Sequence, residues 1–113
     1  MKKIFLFLFT LAVGIITLYA NPKYEFRASW MTTGYGLDWP RQKTADAQKA
    51  ELQQKLDALV AGNHNAVCLQ VRSFADAIYK PSYEPWADCL TGTRGKDPGY
   101  DPLAFAVEEA HKR

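Results

Sequence analysis

A group of polar and aromatic side chains follows one short apolar segment of the chain. The segment belongs to the stretch NAVCLQVRSFADAIYKPSYEPW, residues 65–86, which begins as a strand and continues as a loop rich in aromatic residues and proline. Gln70 and Arg72 have the same parity, so we expect both side chains to face the same side of a sheet. An amide and a guanidinium are directional hydrogen-bond donors, suited to ligand hydroxyls or to a carboxylate.

Arg72 and Asp76 also have structural interpretations. Arg72 can form an ion pair with Asp76 or Glu84 that ties the loop down, and the sequence favours neither this role nor ligand binding. Asp76 is the best local candidate for a contribution to catalysis. The more common use of such an aspartate is as a solvated loop charge or as a cap for backbone N–H groups.

Two tryptophans, Trp39 and Trp86, lie in the loops that follow the two predicted strands. Their rings can serve as flat apolar platforms for a ligand that has both C–H faces and hydroxyls. The more common role of a loop aromatic is to pack the loop onto its own scaffold. The sequence therefore offers five candidates for substrate binding: Gln70, Arg72, Asp76, Trp86 and Trp39.

Two predicted strands position these side chains. Residues 24–33 are rich in aromatic and β-branched residues, which predicts a strand that ends at the glycine- and proline-containing loop 34–42. Residues 65–71 form a nearly continuous apolar run that only Gln70 interrupts. A short run of this kind predicts a strand buried on both faces, as in a parallel sheet covered by helices.

Two helices are predicted from apolar residues at period 3.6. The first begins near Lys43, with Thr44 as its N-cap, and ends before Gly62. The second begins with Asp101 as N-cap and Pro102 as the first helical residue. The predicted buried stripes are Leu52, Leu56, Leu59 and Val60 in the first helix and Leu103, Ala106, Val107 and Ala110 in the second. A strand, a helix and a second strand make a βαβ unit, whose crossover is almost always right-handed.

A long connection, residues 72–100, has no periodic pattern and contains several glycines and prolines. Loops longer than about 15 residues are uncommon in compact domains unless they carry function or are disordered. Its many aromatic residues argue against disorder. We therefore expect a packed, functional loop.

The predicted fold class is α/β with a parallel sheet. Two strands and two helices are too few to cover both faces of such a sheet, so we expect further elements beyond Arg113. The candidates are a (β/α)8 barrel and an open doubly wound sheet. The loop GYGLDWP lacks the spacing of a glycine-rich phosphate-binding turn, which weakens the dinucleotide-binding version.

The first twenty residues have the pattern of a secretory signal. Lys2 and Lys3 precede an apolar run, residues 4–18, and Ala20 is a plausible cleavage point. The run is short for a membrane-spanning helix, although an uncleaved anchor is the alternative. We therefore expect residues 1–20 to be a signal peptide, residues 21–113 to belong to the folded part, and the protein to be exported to the periplasm, cell envelope or exterior. Membrane contact is expected only through the signal.

Charge argues against nucleic acid as a partner. Removing residues 1–20 takes two of the 14 basic residues and none of the 12 acidic ones, which leaves 12 of each and a formal charge of zero. Proteins that bind nucleic acids need basic patches that displace phosphate counterions. We therefore expect no nucleic-acid partner.

The cysteine and histidine content predicts no metal and no cofactor. Neither Cys68 nor Cys89 has a second ligand at zinc-type spacing, and His64 and His111 stand alone. Export permits a disulfide between the two cysteines. The position of Cys68 inside a predicted core strand favours two free thiols, with Cys68 acting as a small hydrophobic residue.

The ordered segments EFRASWMTT, LDWP, AQKAELQQKLDAL, NAVCLQVR, DAIY, EPW, LTG and PGYDPLAFAVEEAHKR resemble the glycoside-hydrolase-like 10 family of exported bacterial proteins over about residues 24–113. The resemblance implies the first two βα units of a (β/α)8 barrel, with the chain ending inside the second helix. It also implies action on the glycosidic bonds of a polysaccharide, with peptidoglycan as one candidate. The partner of this chain would then be the remaining, C-terminal part of the same barrel.

Glycoside hydrolysis normally requires two carboxylates, about 5 Å apart in retaining enzymes and about 6.5 to 9.5 Å apart in inverting ones. Nothing in the sequence identifies such a pair, and we expect the principal catalytic acids beyond Arg113. The carboxylates of the two predicted loops are Asp38, Asp76, Glu84 and Asp88. Two alternatives remain open, a non-catalytic carbohydrate-binding envelope protein on the same barrel and a small secreted adaptor.

Overall fold

The computed structural model describes residues 25–113. The predicted signal segment, residues 1–20, lies outside the described residues. None of the helices in the described part is long and apolar enough to cross a membrane. In chain order the elements are β1 (Ala28–Met31), a 3-10 turn (Gly34–Gly36), α1 (Ala45–Ala61), β2 (Ala66–Leu69), α2 (Asp88–Thr91) and α3 (Pro102–His111).

The two strands form a parallel sheet. Ala28 of β1 lies beside Ala66 of β2, and Met31 lies beside Leu69. Helix α1 connects the strands, so the predicted βαβ unit is confirmed and the described part is a small mixed α/β unit. Because the strands are parallel, both carboxyl ends lie at the same edge of the sheet. The loops that follow β1 and β2 therefore begin side by side.

The sheet has one covered face. Met31 is buried in the core, and Val67 and Leu69 pack against the same cluster as the helix residues Leu52 and Leu56. Side chains alternate along a strand, so the residues between them point the other way.

On that other face, Trp30 and Cys68 lie beside each other in register, and both are exposed within the described residues. The predicted burial of β2 on both faces, and of Cys68 in the core, does not hold for residues 25–113. Cys68 and Cys89 are both free, as the sequence favoured.

Helix α1 follows its predicted bounds. Thr44 has the extended backbone of an N-cap, although its side chain caps no N–H group. At the other end the Gly62 N–H donates to Ala58 O at 2.9 Å. Leu52 and Leu56 are buried as predicted. The fourth member of the predicted stripe, Val60, is instead exposed, as is Val107 in α3.

Helix α3 begins at the predicted cap. The Asp101 Oδ1 accepts a hydrogen bond from the Ala104 N–H at 2.9 Å, and Oδ2 accepts one from the Lys80 N–H at 3.1 Å. Asp101 therefore starts the helix and fastens the long loop to it. Pro102 occupies the first turn, where its missing N–H costs no hydrogen bond.

The end of α3 is fixed to α1 by a buried carboxylate. Glu109 accepts hydrogen bonds from Lys112 Nζ at 2.7 Å, from Arg113 Nη1 at 2.9 Å and from Gln53 Nε2 at 3.1 Å. The bonds from Lys112, Arg113 and Gln53, in that order of importance, lower the pKa of Glu109 from 4.5 to about 2. Arg113 also reaches Asp57 of α1 at 2.6 Å.

The long loop is packed against the strands. The Ile78 N–H donates to Val71 O at 3.2 Å, and Ala77 forms a parallel bridge with Trp86. Ala77, Ile78, Trp86 and Leu90 are all buried. The prediction of a packed loop is confirmed, whereas the short helix α2 inside it was not foreseen because four residues are too few to show a period.

Candidate functional site

The two loops at the carboxyl ends of β1 and β2 form one surface, which we call the strand-end rim and define as residues 32–38 and 70–76. Gln70 holds the two loops together. Its Oε1 accepts hydrogen bonds from the hydroxyl of Thr32 and from the N–H groups of Thr33 at 3.1 Å and Gly34 at 3.3 Å. These three donors fix which way the amide is oriented.

The other half of the Gln70 amide remains available. Within residues 25–113 its Nε2 has no hydrogen-bond partner, and it is not a buried atom. The amide is therefore a fixed donor at the edge of the sheet, because the oxygen side is saturated by the protein. The structure thus places Gln70 at the rim, directly after the end of β2.

Two further contacts order the rim. The hydroxyls of Thr33 and Ser73 lie 2.7 Å apart, which joins the loop after β1 to the loop after β2. The Asp38 Oδ2 accepts a hydrogen bond from the Thr32 N–H at 2.9 Å, so this carboxylate closes the first loop back onto the end of β1. Asp38 therefore has a defined structural task.

Arg72 forms an ion pair with Glu84, with Nη2 and Oε1 2.6 Å apart. Of the two ion pairs that the sequence allows for Arg72, the one with Glu84 therefore forms. About half of the Arg72 side chain is exposed, which leaves other guanidinium donors open to solvent. Pairing and ligand binding are compatible here, so the binding role of Arg72 stays a prediction.

Asp76 is buried and binds a backbone N–H group of its own loop. Its Oδ1 accepts a hydrogen bond from the Phe74 N–H at 3.2 Å. Arg94 completes the arrangement, since its Nη2 donates to Phe74 O at 3.1 Å and to Ala75 O at 3.0 Å. Asp76 therefore binds the N–H of Phe74, and Arg94 binds its carbonyl. The contribution of Asp76 to catalysis stays a prediction.

The two candidate tryptophans are packed inside the protein. Trp39 is fully buried, and its Nε1 donates to Gln48 O at 2.9 Å. Trp86 is also buried, and its carbonyl accepts a hydrogen bond from the Gly95 N–H at 2.8 Å. Within the described residues neither ring offers a free face, so the packing interpretation describes both.

The exposed aromatic residues of the rim are Tyr35 and Phe74, which the sequence analysis did not single out. Their ring centroids are 4.7 Å apart and the rings are tilted by 56°. Even so, Tyr35 is 81% exposed and Phe74 is 42% exposed. The sequence signal that could have identified these two residues was their position alone, because each follows a strand within a few residues.

Backbone strain accompanies this aromatic pair. Tyr35 has φ 54° and Ala75, next to Phe74, has φ 51°. Left-handed conformations are unfavourable for residues that have a Cβ, at about 1 kcal/mol or more each, and they persist only where the surroundings impose them. Strained residues of this kind often mark functional sites.

Behind the rim lies a second group of residues, Trp39, Gln48, Leu90 and Tyr100, which we call the inner layer. Gln48 is fully buried, and its Nε2 donates to the carbonyls of Gln42 and Leu90. Its Oε1 accepts a hydrogen bond from the Tyr100 hydroxyl at 2.7 Å. Burial raises the pKa of Tyr100, so the phenol stays a donor. Every polar group of Gln48 thus has a protein partner.

Cys89 lies beside the inner layer. Burial raises the pKa of its thiol to about 11, and the negative charge of Asp76 adds to the effect while Lys43 opposes it. The thiol is therefore protonated at neutral pH and is a poor nucleophile. In the described part of the chain, no three His, Cys, Asp or Glu side chains converge on a point that would hold a metal ion.

The described part is a parallel βαβ unit whose available polar and aromatic groups lie at the carboxyl ends of the strands. This arrangement is typical of α/β proteins in which the loops carry the function. Comparison with known proteins identifies the family within this class. The profile of the family described as Glycosyl hydrolase-like 10 matches residues 25–113, so the chain belongs to this family.

Two curated relatives support the assignment. The chain is 42% identical over 120 residues to glycosyl hydrolase YngK of Bacillus subtilis (strain 168), which covers 99% of this chain and 24% of that protein. It is 38% identical over 96 residues to glycosyl hydrolase DigH of Escherichia coli (strain K12), which covers 77% of this chain and 22% of that protein. The chain therefore spans about a quarter of the length of the curated relatives that it matches.

Proposed function

We propose that the protein is exported and hydrolyses glycosidic bonds in a polysaccharide, with peptidoglycan as the first substrate to test. The observation that carries the proposal is the fixed donor of Gln70 at the strand-end rim of a chain that belongs to a glycosyl hydrolase-like family. Arg72 adds guanidinium donors beside it. Several oriented donors are what recognition of sugar hydroxyls requires.

The same proposal assigns a place to the open face of the sheet. We propose that β1 and β2 are the first two strands of a (β/α)8 barrel, so that Trp30 and Cys68 point into its interior. Their exposure within the described residues fits this role, because barrel interiors are filled by side chains from all strands. The family assignment is consistent with such a barrel.

Catalytic carboxylates are proposed to lie on later strands. Asp76 and Glu84 of the described residues already bind the Phe74 N–H and the Arg72 guanidinium. Both carboxylates are thus already used in contacts that hold the loop. These two groups therefore suit positioning better than proton donation.

The test is hydrolysis by the full-length protein. Purified peptidoglycan and an unrelated β-linked polysaccharide are incubated with it, and new reducing ends are measured. Release from peptidoglycan is expected, and failure to release reducing ends from any glycan would contradict a hydrolase.

A non-catalytic carbohydrate-binding protein is the second candidate. The two carboxylates of the described rim, Asp38 and Asp76, each accept a hydrogen bond from a backbone N–H group, and this structural use favours a protein that binds without catalysis. Binding of peptidoglycan without release of reducing ends would support this candidate over hydrolysis.

Export has a separate test. Cleavage after Ala20 would give a mature chain that begins at Asn21, which mass spectrometry of the protein from the producing cell detects. A chain that retains Met1 would contradict a cleaved signal.

A further inference from the structure

We infer that Tyr35 and Phe74 form a subsite on which one pyranose ring of the glycan stacks, with Gln70 as its hydrogen-bond donor. The inference rests on the proposed function and names the residues that would recognise the sugar. It differs from the sequence analysis, which offered Trp39 and Trp86 as the candidates for stacking.

The first argument is the exposure of the two rings. Tyr35 and Phe74 contact each other, yet both remain open to solvent at the carboxyl ends of the strands. Burial in the core would have given these aromatic side chains a larger hydrophobic stabilisation. The two rings, tilted by 56°, together form an exposed apolar surface at the rim, and each ring face is large enough to contact one sugar ring.

The second argument is the position of the Gln70 amide. A Cβ placed on Gly34 would lie 3.7 Å from Gln70 Oε1 and 3.8 Å from Phe74 Cε2. The Gln70 amide oxygen and the Phe74 ring therefore both lie beside the buried Gly34, and the Nε2 donor belongs to the same amide group. An apolar surface beside a directional donor matches a pyranose, which presents C–H groups on its faces and hydroxyls at its edge.

The third argument is that the subsite is held in place before any ligand binds. Asp76 and Arg94 fix the Phe74 peptide, and the Thr33–Ser73 contact joins the two loops. The left-handed backbone of Tyr35 lies in the short turn Gly34–Gly36. A preformed surface loses less conformational entropy on binding, so a modest contact area can give useful affinity.

The experiment measures binding of β-1,4-linked N-acetylglucosamine hexamer to the full-length protein. Phe74→Ala and Tyr35→Ala are each expected to weaken binding roughly fivefold to tenfold, in line with the value of one aromatic contact. Phe74→Tyr keeps the ring and should bind like the unaltered protein. Leu37→Ala is the matched control, because Leu37 is an exposed apolar residue of the same loop without an aromatic ring.

Gln70→Glu tests the donor separately. A carboxylate keeps an acceptor for Thr32, Thr33 and Gly34, whereas the Nε2 donor is lost, so binding should fall roughly threefold to tenfold while the loops stay ordered. Saturation-transfer NMR on the hexamer provides an independent readout. Ring protons of Tyr35 and Phe74 should transfer saturation to the sugar C–H protons.

Each outcome has a distinct meaning. Equal affinity of the Phe74→Ala, Tyr35→Ala and unaltered proteins would overturn the subsite while leaving glycan hydrolysis intact. Binding that depends on both rings, without release of reducing ends from peptidoglycan, would overturn hydrolysis and keep the subsite. Lack of binding to the hexamer and to peptidoglycan would overturn both. Loss of self-association in Phe74→Ala with unchanged sugar binding would show that the rings serve a protein contact instead.

Discussion

The inner layer and the strand-end rim lie next to each other and are built in opposite ways. In the inner layer Trp39 and Gln48 are fully buried, and each polar side-chain group has a partner within the protein. In the rim Tyr35 and Phe74 are exposed, and the Gln70 Nε2 has no partner among residues 25–113. The polar groups of the inner layer stabilise the fold, whereas the exposed groups of the rim remain available to a ligand.

The difference shows how a long loop can be both ordered and functional. Gln48 of α1 binds a carbonyl of α2 and the Tyr100 hydroxyl, so it fixes the far part of the loop to the βαβ unit. With that part fixed, the residues near the strand ends can adopt strained and exposed conformations. Changes in the inner layer should therefore lower stability, whereas changes in the rim should lower glycan affinity.

The largest effect is expected for Gln48→Leu. The substitution removes the partner of the buried Leu90 carbonyl and of the Tyr100 hydroxyl on a half-buried side chain, so the free energy of unfolding should fall by about 2 to 4 kcal/mol. Urea denaturation measures this change. Gln54→Leu is the matched control, since Gln54 is exposed on the same helix and should change stability by less than about 0.5 kcal/mol. Equal effects of the two substitutions would contradict the importance of the inner layer.

Glu109→Gln should remove a pH-dependent part of the stability. The folded pKa of Glu109 is about 2, below its ordinary value of 4.5. A depressed pKa stabilises the fold above pH 4.5, and this contribution is lost as the pH falls from 4.5 toward 2. The difference in melting temperature between the original and the Gln variant should therefore be full at pH 7 and shrink toward pH 2. A difference that stays constant over this range would exclude the effect.

Arg94→Ala should affect the rim more than the fold. Arg94 holds the carbonyls of Phe74 and Ala75, so its loss frees the aromatic ring and should weaken binding of the sugar hexamer about fivefold. Calorimetric titration measures the affinity, and Arg94→Lys should restore part of it. Lys96→Ala is the control because Lys96 is an exposed cation of the same loop. A similar loss in both alanine variants would point to charge alone.

The smallest effects are expected at the Arg72–Glu84 pair. A solvent-exposed ion pair contributes at most about 1 kcal/mol, so Arg72→Ala and Glu84→Gln should change stability little and alike. Their effects on sugar binding should differ, with roughly a twofold to threefold loss for Arg72→Ala and none for Glu84→Gln. Equal affinity in the two variants would leave Arg72 with a structural role only.

The regular elements were predictable because their signals are local. Helix α1 followed from its apolar period and from Gly62, and α3 followed from Asp101 and Pro102. The parallel pairing followed from the apolar character of 65–71. These signals lie within a few residues of the feature that they predict.

The loops were less predictable because burial there depends on distant partners. Gln48 is polar yet buried, since its partners Leu90 and Tyr100 lie 42 and 52 residues away along the chain. Trp39 was a candidate for the binding surface and is instead buried, with its indole N–H donating to the main-chain carbonyl of Gln48. A loop has no period that assigns each residue to a face, so the exposure of Tyr35 followed only from the structure.

Amide hydrogen exchange on the full-length protein, with and without the N-acetylglucosamine hexamer, tests the central claim most directly. The account predicts that ligand slows exchange at residues 33–36 and 73–76, while the inner-layer amides stay unchanged because they are already protected. Saturating ligand that slows exchange only outside the strand-end rim would contradict the account.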